Sequence, residues 1–268
     1  MRHKCFLDIP AEQYHADAAA GLYVSSHNLA RFRACPHTYH LLMTGKMRHP
    51  ESPALAFGRA VHSYTLEGHD AFHAEFAVTD GPINERTGKP YGRDTAKFAE
   101  FMAKQTKEIV TCREFEQIER MAANVWDHPD GRELLKKGFA EATVRLEDFH
   151  GIPFQIRIDW FNPDYGIVDL KTTSELEDFE HQSRSFGYPV QRAVYQAVLE
   201  QATGVKYPVF MLASEKREPY RAASFKISDD VLAQAEEINE KAIAELCECR
   251  RNDEWPTRFV ETRLITRL

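Results

Sequence analysis

The sequence predicts an α+β (mixed α/β) fold, with a central mixed β-sheet flanked by helices and a helical N-terminal region before it. Three observations predict this. Residues 1–138 read as helices between capping and breaking residues. From about residue 139 the apolar pattern switches to a period of two. After residue 173, helical segments alternate with two further strand-like runs. The expected organisation is one domain over 1–268, in which a helical N-terminal region (residues 1–138) leads into a sheet-containing catalytic core (residues 139–268).

Ser25 or Ser26 is placed to cap a helix over Asn28–Ala34, because a hydroxyl there can accept from an orphan amide of the first turn. Pro36 suits the start of a second helix running to about Met43, where its missing N–H leaves nothing unpaired. Ala54–Glu67 is expected to be a third helix, with Leu55, Val61 and Leu66 as apolar positions and Gly68 at its end. Thr79–Asp94 contains Gly81-Pro82, Gly88-Lys89-Pro90 and Gly92, and reads as a long exposed loop. Helices follow at about Thr95–Val110, Glu114–Trp126 and Asp130–Lys137.

Ala142–Phe149, Phe154–Trp160 and Gly166–Thr172 read as strands, the second with clean alternation. Asn162-Pro163-Asp164-Tyr165-Gly166 between the last two has strong turn chemistry. A helix over about Pro189–Gln201 leads to strands at Tyr207–Ser214 and Arg221–Ile227. Ser228 then caps a final helix, Asp229 to about Arg251, whose apolar stripe is Val231, Ala235, Ile238, Ala242 and Leu246.

Composition sets limits. The chain has 43% hydrophobic and 28% charged residues, the balance of a globular protein. No apolar run approaches the roughly 20 residues that cross a bilayer. Met1-Arg2-His3-Lys4-Cys5 is basic without an apolar run behind it, so no secretion signal is expected. Five irregularly spaced cysteines fit a reducing, cytoplasmic compartment. The net charge of -7 argues against a broadly basic surface but leaves room for one basic groove. No G-x-x-x-x-G-K-[ST] loop is present, so no motor is expected.

The chemistry centres on Asp159 and Val168-Asp169-Leu170-Lys171. Asp169 and Lys171 share one strand face. A hairpin centred on Asp164 sets Asp159 opposite Asp169, with Cβ atoms about 4.5–5.5 Å apart. Opposed carboxylates repel unless a divalent cation lies between them, and Lys171 projects beside that place. The arrangement suits phosphodiester hydrolysis. Taken alone, the three residues fit a solvated polar face equally well, and a β-bulge would shift the register.

Asp159 with Asp169-Leu170-Lys171 resembles the D…(D/E)XK signature of the PD-(D/E)XK nuclease superfamily, which includes restriction enzymes, RecB-type nuclease domains and lambda exonuclease. Gly58-Arg59-Ala60-Val61-His62 resembles the G-x-x-x-H helix of the RecB and RecE branch, and Gln191-Arg192-Ala193-Val194-Tyr195 its Q-x-x-x-Y helix. Tyr14-His15-Ala16, the Leu55–Leu66 helix, Val168–Thr173 and Asn252–Pro256 extend the similarity to RecE-type recombination exonucleases of phages and prophages over nearly the whole chain.

The resemblance implies a restriction-endonuclease-like core and a set of roles. Asp159 and Asp169 would be metal ligands, joined by His62 and the Leu170 carbonyl, with Lys171 activating or positioning water. Glu141 is the candidate upstream carboxylate, with Glu147 and Asp148 as alternatives. Gln191 and Tyr195, four apart on one helix face, would contact the site or DNA. Arg31, Arg33 or Arg59 would hold a terminal 5′ phosphate, although each singly also fits a solvated arginine. The implied cofactor is Mg²⁺, with Mn²⁺ as substitute. The implied activity is 5′→3′ digestion of linear duplex DNA, leaving a 3′ strand for a RecT-type annealing partner, by a ring-shaped homo-oligomer. Cys35-Pro36 resembles the Cys-Pro of cluster-bearing RecB relatives, but only Cys247 and Cys249 follow late. No iron–sulfur cluster is expected, and Cys35 reads as a buried thiol. Cys35, His37 and His40 likewise lack a convincing fourth zinc ligand.

Overall fold

The computed structural model describes residues 5–47, 53–262 and 264, so the basic stretch Met1–Lys4 lies outside the described residues. Helix α1 (Ala11–Ala19) and the short strand β1 (Val24–Ser25) precede α2 (Ser26–Ala34) and α3 (Pro36–Met43). Of the two serines expected to cap α2, Ser25 does so: its Oγ accepts from the Asn28 amide at 3.3 Å. Pro36 opens α3, and Cys35 is its N-cap, with Sγ accepting from the Thr38 amide at 3.4 Å. That role keeps the thiol half-buried rather than buried.

The helix expected over Ala54–Glu67 is two elements. α4 (Pro53–His62) is α-helical, and Ser63–Glu67 widens into a π turn that ends at Gly68, whose φ is 92°. Such turns insert a residue into the helical ladder and re-aim the side chains beside them. α5 (His69–Glu75) and β2 (Phe76–Val78) follow. The expected loop 79–94 holds a small hairpin, β3 (Ile83–Asn84) with β4 (Lys89–Pro90). The helix expected over Thr95–Val110 stops early. α6 (Ala96–Met102) ends where 104–108 lacks any apolar residue to continue a buried face, and β5 (Glu108–Val110) pairs with β2 instead. α7 (Cys112–Asp127), closed by a Thr111–Glu114 capping box, and α8 (Pro129–Leu135) complete this region.

Among the described residues the central sheet has six strands. β6 (Phe139–Phe149) runs antiparallel along one edge of β7 (Ile152–Asn162). The other edge of β7 is shared: β1 pairs at Phe154–Gln155, and β8 (Gly166–Thr173) pairs at Trp160–Asn162. α9 (Phe179–Ser185) and α10 (Tyr188–Thr203) form the crossover to β9 (Val209–Glu215), parallel to β8. β10 (Ala222–Lys226) closes the sheet, and α11 (Asp229–Asn252) packs on α10.

Alternation along β8 and β9 divides two cores. Ile167, Val209, Met211 and Ala213 face one, built with α2, α10 and α11. Val168, Leu170 and Leu212 face the other, built with α4, α7 and α8. The first core also takes in Phe6, Val24, Leu29, Phe32 and Tyr39, so segments 1–138 and 139–268 share it.

In α11 the expected stripe is partly displaced: Val231 and Ile238 are exposed, whereas Leu232, Asn239, Ile243 and Cys249 join Ala235, Ala242 and Leu246 inside. The face is set by α10, where Asn239 Nδ2 donates to Val190 O at 2.7 Å. Ser228 holds the N-cap position without a side-chain hydrogen bond. No helix among the described residues is long and apolar enough to cross a membrane.

Asn162 sets the hairpin that positions the site. Buried at 1% exposure, it donates from Nδ2 to Leu134 O at 2.8 Å, and its Oδ1 accepts from the Asp164 amide at 2.9 Å. Asn162→Ala strands those groups and is expected to cost about 2 kcal/mol. The corresponding fall in Tm is on the order of 4–8 °C, readable by calorimetry. An unchanged Tm removes Asn162 from this role.

Candidate active site

Glu141, Asp159 and Asp169 lie level on three adjacent strands. The pairs Ala140–Trp160 and Ala142–Ile158 flank positions 141 and 159. The β7–β8 pairs, from Asn162–Gly166 to Trp160–Val168, form the expected hairpin centred on Asp164. Both ladders open at this row. β7 and β8 part after Trp160–Val168, and Asp159 Oδ2 accepts from the Leu170 amide at 3.1 Å in place of a backbone partner. Glu141 takes φ 56°, a left-handed conformation that costs a non-glycine residue on the order of 1–2 kcal/mol. Such strain concentrates at functional sites.

His62, the last residue of α4 before the π turn, reaches the row from the helical side. Its Nε2 is 2.8 Å from Asp159 Oδ2, and its Nδ1 is 3.7 Å from Glu141 Oε1. The second Glu141 oxygen is held by Arg157 Nε, and Arg157 is itself fixed by Ile9 O at 2.8 Å and Thr143 Oγ1 at 3.1 Å. Lys171 Nζ lies 2.6 Å from Asp169 Oδ2 and 3.8 Å from Asp159 Oδ2, and donates to Leu170 O at 3.3 Å.

A further cation joins them. Arg192 Nη1 is 2.8 Å from Asp169 Oδ1, and both side chains are almost fully buried. The Arg192 guanidinium lies 4.0 Å from the Tyr195 ring centroid and donates to Gln191 Oε1 at 3.2 Å. The contacts to Asp169 are close but angularly poor, so both of its buried oxygens lack an aligned hydrogen bond.

Charge and burial set the protonation of the row. Burial opposes ionisation of Asp159, but His62 and Lys171 outweigh it and hold the carboxyl well below its usual range. Burial pushes Asp169 up, with Arg192 pulling against it, and also pushes Glu141 up. Burial disfavours the charged forms of Lys171 and His62, yet their neighbouring carboxylates prevail and raise both. Lys171 is therefore an ammonium at neutral pH.

The donor set fits a hard divalent cation: two carboxylates, the Leu170 carbonyl and an imidazole, with buried Asp169 oxygens in want of an aligned partner. The residues that would hold it are Asp159, Asp169, Leu170 and His62. As they stand, no three His, Cys, Asp or Glu side chains among the described residues are grouped so as to hold a metal ion, and Lys171 and Arg192 lie against the Asp169 oxygens instead. The Lys171 ammonium stands between the two aspartates and supplies positive charge there.

The remaining candidates separate. Tyr195 is buried under Arg192 and its hydroxyl accepts from Ser26 Oγ at 3.5 Å, so the Gln191–Tyr195 pair contacts Asp169 only through Arg192. Arg31 and Arg33 are half-buried on α2. Arg59 is exposed and paired with Glu108 on β5. Glu147 accepts from the Tyr23 hydroxyl and Asp148 from the Gly151 amide, both near the β6–β7 turn, so Glu141 is the carboxylate in the row. His40 stacks on Trp255, with ring centroids 4.6 Å apart.

Three residues escaped the sequence reading. Arg192 had a signal: it is the one charged residue in Tyr188–Leu199, an otherwise apolar and amide-bearing helix. Tyr188 places its ring 5.5 Å from Lys171 Nζ. His27 keeps solvent contact, yet desolvation and the charges of Arg192, Lys171 and Arg31 lower its pKa to about 4. Nothing local in the sequence marks either one.

A family model described as "PDDEXK-like domain of unknown function (DUF3799)" matches residues 25–264. The fold is similar to a crystal structure described as a "putative exonuclease" from Eubacterium rectale, with a TM-score of 0.70 at 20% identity over 98% of this chain and 96% of that one. At that identity the likeness shows the fold. No curated protein matches the chain.

Proposed function

This chain belongs to the family of PDDEXK-like domains whose model spans residues 25–264, and on that premise we propose that it is a Mg²⁺-dependent 5′→3′ exodeoxyribonuclease of the RecE type, acting on linear duplex DNA. The observation that carries the reading is the level row Glu141, Asp159, Asp169 around a buried ammonium, at the point where β7 and β8 separate. The description of the Eubacterium rectale structure as a "putative exonuclease" supports it.

A bound Mg²⁺ supplies Lewis-acid stabilisation of charge on the scissile phosphate. The chain's own residues do the rest. Lys171, held protonated by Asp169 and Asp159, acts as a hydrogen-bond donor that positions water or neutralises a phosphate oxygen, not as a base. Arg157 orients Glu141, and Arg192 orients Asp169. Arg31 and Arg33 on α2 offer guanidinium forks for a terminal phosphate. The RecE resemblance further implies a ring-shaped homo-oligomer and transfer of the 3′ strand to a RecT-type annealing protein.

The test is digestion of duplex DNA labelled in parallel at the 5′ and 3′ ends. The expected result is early release of the 5′ label as mononucleotide with Mg²⁺, slower or comparable release with Mn²⁺, none with a chelator, and resistance of covalently closed circles. First loss of the 3′ label reverses the polarity. Rapid cutting of circles makes the protein an endonuclease. No digestion with either metal leaves a DNA-binding protein on a nuclease fold.

A further inference from the structure

α9 ends at Ser185 and α10 begins at Tyr188, leaving only Phe186 and Gly187 between them. Gly187 takes the left-handed conformation (φ 69°, ψ 28°), which glycine adopts without the Cβ penalty. The reversal leaves Phe186 60% exposed. Its ring centroid lies 5.7 Å from that of Tyr188, tilted by 38°. Lys171 Nζ lies 5.5 Å from the Tyr188 ring on the inner side. Arg33 Nη2 approaches within 3.7 Å of where a Cβ on Gly187 would stand. The catalytic-site ammonium, a half-buried ring and an exposed ring thus follow one another outward, with a guanidinium alongside.

We propose that Phe186, backed by Tyr188, is a stacking subsite for the nucleobase next to the scissile phosphate, with Arg33 on the adjoining phosphate. The inference rests on reading the Lys171 row as a nuclease site and adds how the substrate strand is held there. Aromatic faces stack on any base, and cations beside them track the backbone. An exposed ring covers only a base with a free face, so the subsite takes a terminal or unstacked nucleotide and is indifferent to sequence.

The test measures equilibrium binding of labelled duplexes with Ca²⁺ in place of Mg²⁺, for the wild type, Phe186→Ala and Phe186→Trp. Duplexes with an intact end are compared with duplexes abasic at the first or second nucleotide. Phe186→Ala is expected to weaken binding of the intact duplex by about tenfold and Phe186→Trp to restore it. An abasic nucleotide at one of the two positions is expected to weaken the wild type equally and the alanine variant no further. Equal binding by wild type and Phe186→Ala, or losses that multiply independently, overturns the inference. So does an altered oligomeric mass by light scattering with unchanged DNA affinity, which assigns the ring to a second copy. Digestion with Mg²⁺ run in parallel separates the two readings. Coupling without digestion keeps the stacking subsite and removes the nuclease, and digestion without coupling does the reverse. Absence of any DNA binding by the wild type removes both.

Discussion

Lys171→Ala is expected to lower single-turnover cleavage by about 100- to 1,000-fold while the chain stays folded. Among the described residues, Lys171 is the one ammonium touching both aspartates of the row, and it is held protonated by them. Its loss takes away a donor aimed at the place where phosphate charge must be met. Folding survives because Arg192 still faces Asp169 and His62 still faces Asp159. The same geometry gives a second readout. The ammonium competes with a divalent cation for the two carboxylates, so Mg²⁺ is expected to raise the Tm of Lys171→Ala more than that of the wild type. Wild-type cleavage by the folded variant removes Lys171 from the site. Equal Mg²⁺ stabilisation of both proteins removes the competition.

Arg192→Met is expected to be the most destabilising single change at the site. Asp169 is fully buried and Arg192 lies 2.8 Å from it, itself buried. Removing Arg192, the stronger of the two cations that favour the Asp169 carboxylate, leaves it only Lys171, which Asp159 shares, and costs about 3 kcal/mol, a Tm loss on the order of 10 °C. Arg192→Lys keeps the charge but not the fork that also donates to Gln191 Oε1, and is expected to fall between Arg192→Met and the wild type. Adding Asp169→Asn to Arg192→Met removes the stranded charge and is expected to recover most of the loss. Denaturant unfolding of the wild type, the two single variants and the double variant reads the cycle directly. A double variant whose loss equals the sum of the two single losses shows that the pair is not the cause.

Much of the site was legible in the sequence for one reason: it is built on a hairpin. Strand alternation and the Asn162–Gly166 turn are local features, and together they dictate that Asp159 faces Asp169 and that Lys171 shares the Asp169 side. The Ser25 cap of α2 and Pro36 at the start of α3 are equally local. Tertiary structure decided what depends on partners distant in the chain. Ile109 and Val110 became a strand because Phe76–Val78 offered an edge. α11 turned its face by the width of one residue because α10 sits where it does. Arg59 went to Glu108, and Arg192 went to Asp169. A helix or strand period states which residues share a face, but not which element that face will meet. The sequence by itself determined the Asp159–Asp169 pair and its lysine, whereas the choice of Glu141 over Glu147 and Asp148, the guanidinium that counters Asp169 and the exposure of Phe186 were decided only when the strands and α10 came together.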